Sequence, residues 1–217
     1  MDIEVVEERH PMMDINEIKC VQLSDEWFFE RLERLTSSKF DDLMPSSRQK
    51  LVWNDTQLKI LKEIACQILT GERKPSFTNS AMQWGIETEE EARRYYGLKT
   101  MQVVRESGFW IIDKDLGDSP DGIIEDSKKV WECKCPASTT HLDYFLDPEK
   151  LFKKYKWQCY GHMWATGYNQ GDLISYDPRF PEEKRMVIYP FKLVPEDMEL
   201  LKTRMYLAVE KIKEFIK

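Results

Sequence analysis

Asp121, Glu132 and Lys134 are the residues of this chain whose types and spacing could do chemistry together. Glu132 and Lys134 stand two apart in KVWECK, a short run of β-branched and aromatic residues that reads as a strand. Alternate strand residues share a face, so both charges meet one side while Cys133 and Cys135 point to the other. Asp121 opens a second short strand, DGIIE, and the turn EDSKK between them folds the pair into a hairpin with Asp121 beside Glu132. Two carboxylates and a strand carbonyl suit a hard, oxygen-seeking cation, Mg²⁺ with Mn²⁺ as a substitute. A lysine next to the metal-binding glutamate can orient an attacking water or help it lose a proton, while the ion stabilises charge on phosphate oxygens. That division of labour is hydrolysis of a phosphodiester. The apolar flank Val130-Trp131 places the strand in the interior, where a Glu and a Lys without partners would be costly.

Helices must position this hairpin. Ser24 reads as an N-cap, with Asp25 and Glu26 in the first turn and Trp27, Phe28, Arg31 and Leu32 at helical spacing. A second start lies at Thr36-Ser37-Ser38, ahead of Phe40, Leu43 and Met44. Residues 55–70 put Leu58, Leu61, Ile64, Ala65 and Leu69 on one stripe that Gly71 ends. From Ser80 to about Tyr96 a further helix places Glu89 on a face with Gly85, Ala92 and Tyr96, which turns one carboxylate inward. The period then changes to that of a strand meander over Phe109–Asp113, Gly122–Glu125 and Val130–Lys134. A long helix over Glu149–Thr166, strands near 173–176 and 186–193, and a helix from Pro195 complete an α/β fold, a central mixed sheet flanked by helices.

Composition narrows the classes. With 217 residues, 41% hydrophobic and 33% charged, the expectation is a single domain over 1–217: an arm at 1–20, a core from about 24 to 194 and a C-terminal helix at 195–217. No apolar run is long enough to span a bilayer, and the acidic start MDIEVVEERH lacks the regions of a signal peptide, so a cytoplasmic protein without membrane contact is expected. Five scattered cysteines argue for reduced thiols, and Cys133-x-Cys135 has no second pair at zinc spacing. The three histidines lie in no nucleophile motif. A net charge of −7 requires any contact with a polyanion to be local. Lys153, Lys154 and Lys156 in KLFKKYKWQ line either a DNA path or an ordinary solvated helix face.

Four blocks in order, spanning roughly residues 27–180, carry a family resemblance: WFFERLERLTSSKF, AMQWGIETEEEARRYY, SPDGIIEDSKKVWECKCP, and KWQCYGHMWATG followed by ISYDPRF. Together they resemble the phage lambda exonuclease-like group, the YqaJ-like viral recombinases of the PD-(D/E)xK nuclease superfamily. The resemblance implies a restriction-endonuclease-like core in which Asp121, Glu132 and the carbonyl of Cys133 bind the metal and Lys134 is catalytic. It adds Glu89 and Gln158 to the site, and a further acid upstream of SPDG for which Asp113, Asp115 and Asp118 compete; Asp113 is the choice. His162 departs from the residues usual at its position, so its role stays open. Arg31, Ser38 and Ser119 correspond to the group that grips a 5′-phosphate, although Arg31 read alone also suits a solvated helix face. The implied activity is a Mg²⁺-dependent exonuclease that digests the 5′-ended strand from a double-stranded DNA end and leaves a 3′ single strand for recombination. Partners implied with it are a homotrimeric ring of this chain and a single-strand annealing protein, in a bacterial host carrying a phage or prophage. The alternatives are a PD-(D/E)xK endonuclease and an inactive nuclease fold that binds DNA.

Overall fold

The computed structural model describes residues 17–45, 52–72 and 80–217. The chain begins with a short strand β1 (Glu17–Ile18) and helix α1 (Asp25–Leu32), whose N-cap Ser24 accepts the Trp27 amide. The two-residue strand β2 (Leu35–Thr36) leads through a 3₁₀ turn (Ser37–Lys39) into the one-turn helix α2 (Phe40–Leu43). Helix α3 (Asp55–Thr70) opens on a reciprocal capping box between Asn54 and Gln57 and closes at Gly71, whose φ of 65° is the left-handed conformation that a glycine adopts without strain. Helix α4 (Ser80–Thr100) runs one turn beyond the expected end.

Short strands follow: β3 (Arg105–Glu106), β4 (Phe109–Ile111), β5 (Leu116–Asp118), β6 (Gly122–Ile124) and β7 (Lys129–Lys134). Helix α5 (Ser138–Leu146) and helix α6 (Pro148–Thr166) then precede strand β8 (Gln170–Tyr176), strand β9 (Met186–Lys192) and helix α7 (Pro195–Ile216). Residues 17 and 18 of the expected N-terminal arm thus form a strand, and residues 1–16 lie outside the described part.

The strands form two sheets. The larger has the order β3-β6-β7-β8-β9, with β7 and β8 parallel and the other pairs antiparallel. The smaller has the order β1-β4-β5-β2, with only β2 and β5 parallel. This is the mixed α/β architecture expected, except that the sheet is divided in two.

Both faces of the larger sheet are covered, and the strand period decides which residue goes where. Val130 and Leu173 face a core shared with Leu61 on α3, Cys159 on α6 and Leu201 on α7. Their neighbours Trp131, Cys133 and Ile174 face the opposite way, against Ala92 and Tyr96 of α4. Glu132 and Lys134 fall in phase with Val130, so they point toward α6. Gly122 permits β3 to pair closely with β6: a Cβ there would lie 2.5 Å from Val104 Cγ1.

Candidate active site

The β6–β7 register sets the centre of the site. Gly122 is paired with Trp131, so Asp121, one step outside the ladder, stands across from Glu132 on the same face. Asp121 Oδ2 accepts the Cys133 amide at 2.9 Å. In a strand the N–H and C=O of one residue point to the same neighbour, and β6 has no residue paired with Cys133. The Cys133 carbonyl is thereby directed to the open edge beside Asp121. Lys134 Nζ donates to Glu132 Oε1 and lies 4.8 Å from the centre of the Tyr155 ring.

Helix α6 supplies the groups facing Glu132. Gln158 Nε2 donates to Glu132 Oε1 at 2.6 Å, and one turn later His162 Nε2 stands 2.9 Å from Glu132 Oε2. The latter is a charge contact without hydrogen-bond alignment, because Oε2 and Nε2 each lack an aligned partner. The helix is broken just before these residues: Tyr155 has φ −121° and ψ 15°. The interruption frees two backbone amides, and Asp41 of α2 takes both, its Oδ1 accepting Trp157 N–H at 3.0 Å and its Oδ2 accepting Gln158 N–H at 2.9 Å. A carboxylate distant in sequence therefore caps the half-helix that carries Gln158 and His162. Burial raises the Asp41 pKa to about 6 against the pull of those amides.

The electrostatics divide the acids. Glu132 is fully buried, yet Lys134 and His162 outweigh burial and hold its pKa down to about 2. Asp121 goes the other way: burial, then the charges of Glu132 and Glu89, push it well above the usual carboxylate range. Glu89 rises to about 7 through burial and the charge of Glu132, against the pull of Arg93. Arg93 NH2 binds Glu89 Oε1 at 2.9 Å and the Asp121 backbone oxygen at 3.4 Å, which ties α4 to the turn before β6. For His162, burial alone favours the neutral ring, but the carboxylates of Asp118 and Glu132 prevail and raise its pKa to about 10.

A second cluster lies near the start of the chain. Arg31 NH2 donates to Thr36 Oγ1 at 3.2 Å and to Ser38 Oγ at 3.3 Å, and its guanidinium lies 4.2 Å from the centre of the Trp27 ring. The Trp27 indole N–H donates to Ser119 Oγ at 2.8 Å. Arg31, Ser38 and Ser119 are thus gathered around Trp27, although only the first two are in direct contact.

Asp113 is not part of either group. Its Oδ1 accepts the amides of Asp115 and Leu116 at 2.8 and 2.9 Å, closing the β4–β5 turn, and Asp115 pairs with Lys213 of α7 at 3.0 Å. Of the three competing acids only Asp118 connects to the site, through His162 Nδ1, which donates to Asp118 Oδ2 at 2.7 Å. Asp41, Arg93, Thr36 and Ser37 were not singled out in the sequence. Only Thr36 and Ser37 carried a signal, as part of the TSS helix start.

The residues fit a divalent ion. Among the described residues no three His, Cys, Asp or Glu side chains form a ready-made cage. The donor set is instead two carboxylates and a carbonyl, which suits a cation that keeps several waters. Glu132 Oε2 is buried without an aligned hydrogen bond, and Glu89, Asp121 and Glu132 repel one another. A cation relieves both conditions.

Comparison with known proteins identifies the family and the fold. The model of the YqaJ-like viral recombinase domain matches residues 26–169. No curated protein matches the chain. Among solved structures, an alkaline exonuclease from Laribacter hongkongensis (LHK-Exo) is similar at a TM-score of 0.79 and 28% identity, over 89% of this chain and 94% of that one. The same enzyme in complex with dAMP matches equally, at a TM-score of 0.79, 28% identity and the same 89% and 94% coverage. A phage-related exonuclease from Haemophilus somnus 129PT shares the fold at a TM-score of 0.72 and 17% identity, over 84% of this chain and 95% of that one.

Proposed function

Because the chain belongs to the YqaJ-like viral recombinase domain family, we propose that it is a metal-dependent deoxyribonuclease, an exonuclease that enters at a duplex end and degrades the 5′-ended strand. The observation that carries this reading is the pairing of two sites: three acids and a lysine gathered about the fully buried Glu132, and an Arg–Thr–Ser cluster suited to a terminal phosphate. The similarity to an alkaline exonuclease at 28% identity supports the substrate class.

Asp121, Glu132 and the Cys133 carbonyl would hold the ion, Mg²⁺ or Mn²⁺. When bound, the ion supplies charge stabilisation at the phosphate oxygens and an acidified water. The chain's own residues do the rest. Lys134 Nζ keeps its proton because the negative charges of Glu132 and Asp121 outweigh burial, so it orients the attacking water and donates toward developing negative charge. Gln158 fixes the Glu132 carboxylate from the helix side. Glu89, whose pKa is raised to about 7, would accept a proton from the water. Arg31, Ser38 and Ser119 seat the 5′-phosphate.

A homotrimeric ring and a single-strand annealing partner belong to the same proposal, with Mg²⁺ as the working ion and the host cytoplasm as the place of action. Leu98 in the last turn of α4, with Met101 and Val103 just beyond it, exposed at 78%, 88% and 79%, would give such a contact an apolar edge. No helix among the described residues is long and apolar enough to cross a membrane.

The test is digestion of linear duplexes labelled at either end, with and without a 5′-phosphate, in Mg²⁺ or chelator, alongside closed circular duplex. Loss of label from 5′ ends, dependent on Mg²⁺ and favoured by the phosphate, is expected. Cleavage of the circle at a comparable rate would overturn the end-dependent reading.

A further inference from the structure

Ser37, Asp118 and His162 form a buried polar chain that the roles assigned above leave unused. Ser37 is 3% exposed, and Asp118 and His162 are wholly buried. The Ser37 hydroxyl donates to Asp118 Oδ1, His162 Nδ1–H donates to Asp118 Oδ2 at 2.7 Å, and His162 Nε2 reaches within 2.9 Å of Glu132 Oε2. An apolar core would be cheaper to build here, whereas a connected buried network fixes its members in one arrangement.

The outer end of this chain lies in the phosphate cluster. Ser37 sits between Thr36 and Ser38, whose hydroxyls accept from Arg31, and Asp118 directly precedes Ser119, which receives the Trp27 indole. Two short segments therefore each present one side chain to the cluster and the next one inward to the relay. Gly161 makes the approach possible: a Cβ there would lie 2.5 Å from Ser37 Cβ and 2.9 Å from the Phe40 ring, so only a glycine lets α6 lie this close to the turn.

We propose that Ser37, Asp118 and His162 are positioning residues that hold the Glu132 carboxylate in fixed register with the phosphate cluster. A terminal phosphate seated on Arg31 and Ser38 then places the scissile bond against Glu132. The inference rests on the exonuclease reading, and makes the 5′-phosphate a determinant of turnover as well as of binding.

The experiment uses the full chain with Ser37→Ala, which removes a single hydroxyl, and His162→Gln, which keeps an amide toward Glu132 but breaks the link to Asp118. Steady-state kcat and KM are measured on duplexes bearing a 5′-phosphate or a 5′-hydroxyl, and affinity for both duplexes is measured by fluorescence anisotropy in chelator. The wild type is expected to turn over the phosphorylated end faster. In both variants that kcat ratio should fall by about tenfold or more, while the preference in KM and in chelator affinity stays within about twofold, as a general loss of stability would not arrange. A kcat ratio unchanged in the variants overturns the inference alone. Loss of the affinity preference along with the kcat ratio also overturns it, since the residues would then build the cluster rather than align it. A wild type indifferent to the phosphate in both turnover and affinity overturns the phosphate site itself, and the inference with it.

Discussion

The larger sheet buries a carboxylate on each face, and the two are treated differently. Behind the sheet, Asp172 on β8 is 2% exposed; its Oδ2 accepts the Tyr96 hydroxyl at 2.6 Å and Lys129 Nζ at 3.0 Å. In front, Glu132 on β7 is met by Lys134, Gln158 and His162. Each acid has one lysine. The difference is what surrounds the pair: Asp172 has a neutral phenol, whose pKa burial and the carboxylate push up, whereas Glu132 has two further acids. A buried, paired carboxylate is therefore no mark of a site by itself. Like charge gathered beyond what nearby cations neutralise, at a strand edge with a free backbone direction, is such a mark.

The comparison breaks first if the front network proves dispensable. Lys134→Ala and Asp121→Asn are each expected to reduce nuclease turnover by about a thousandfold or more, the scale of losing a main transition-state contact. Circular dichroism should show the fold retained, because Lys134 is partly exposed and Asp121 stands outside the β6 ladder. Retained cleavage in Asp121→Asn would remove the site from this hairpin.

The rear network should behave in the opposite way. Asp172→Asn leaves Lys129 without its charge partner, and breaking a buried pair of this kind costs about 3 kcal/mol. Tyr96→Phe, which removes one donor from Oδ2, should cost about 1 kcal/mol. Denaturant midpoints would register both losses. Specific activity per folded molecule is expected to stay within about twofold of wild type; a hundredfold loss of activity in Asp172→Asn would erase the distinction between the two faces.

The front hairpin was legible in the sequence and much of its support was not, for a physical reason. Glu132 and Lys134 declare their shared face through the two-residue strand period, and Gly122 with the EDSKK turn declares the hairpin. The helix bounds at Ser24 and Gly71 follow from local capping chemistry. Helix α5 was missed because STTHLDYFL has no clean apolar stripe; its inward His141 is instead bonded to Ser175 at 2.8 Å and the Lys184 carbonyl at 2.9 Å. The strands β1, β2 and β3, of two residues each, are too short to show a period. Asp41 capping α6, and Ser37 reaching Asp118, join residues far apart in the chain, and nothing local marks them. The resemblance leaves Asp113, Asp115 and Asp118 in competition and favours Asp113, because nothing local in the sequence distinguishes an acid that closes a turn from one directed inward.

The last expected effect concerns how the front acids respond to pH and metal. A carboxyl whose folded pKa is raised binds a proton more tightly in the folded than in the unfolded state. For Glu89, at about 7 against an ordinary value of 4.5, the ion-free protein therefore loses stability as pH rises between those values. Asp121 shifts in the same direction and adds to the trend. A divalent ion favours the ionised acids and so competes with those protons. Between about pH 6 and pH 8 Glu89, with a pKa near 7, passes from mostly neutral to mostly ionised, which adds a negative charge beside the ion and strengthens its binding. Thermal melts with and without Mn²⁺ at the two pH values should show a larger stabilisation at the higher one, and Asp121→Asn should abolish most of it. An equal Mn²⁺ effect at both pH values would mean that the front acids do not hold the ion, and would leave Glu132 on the same footing as Asp172.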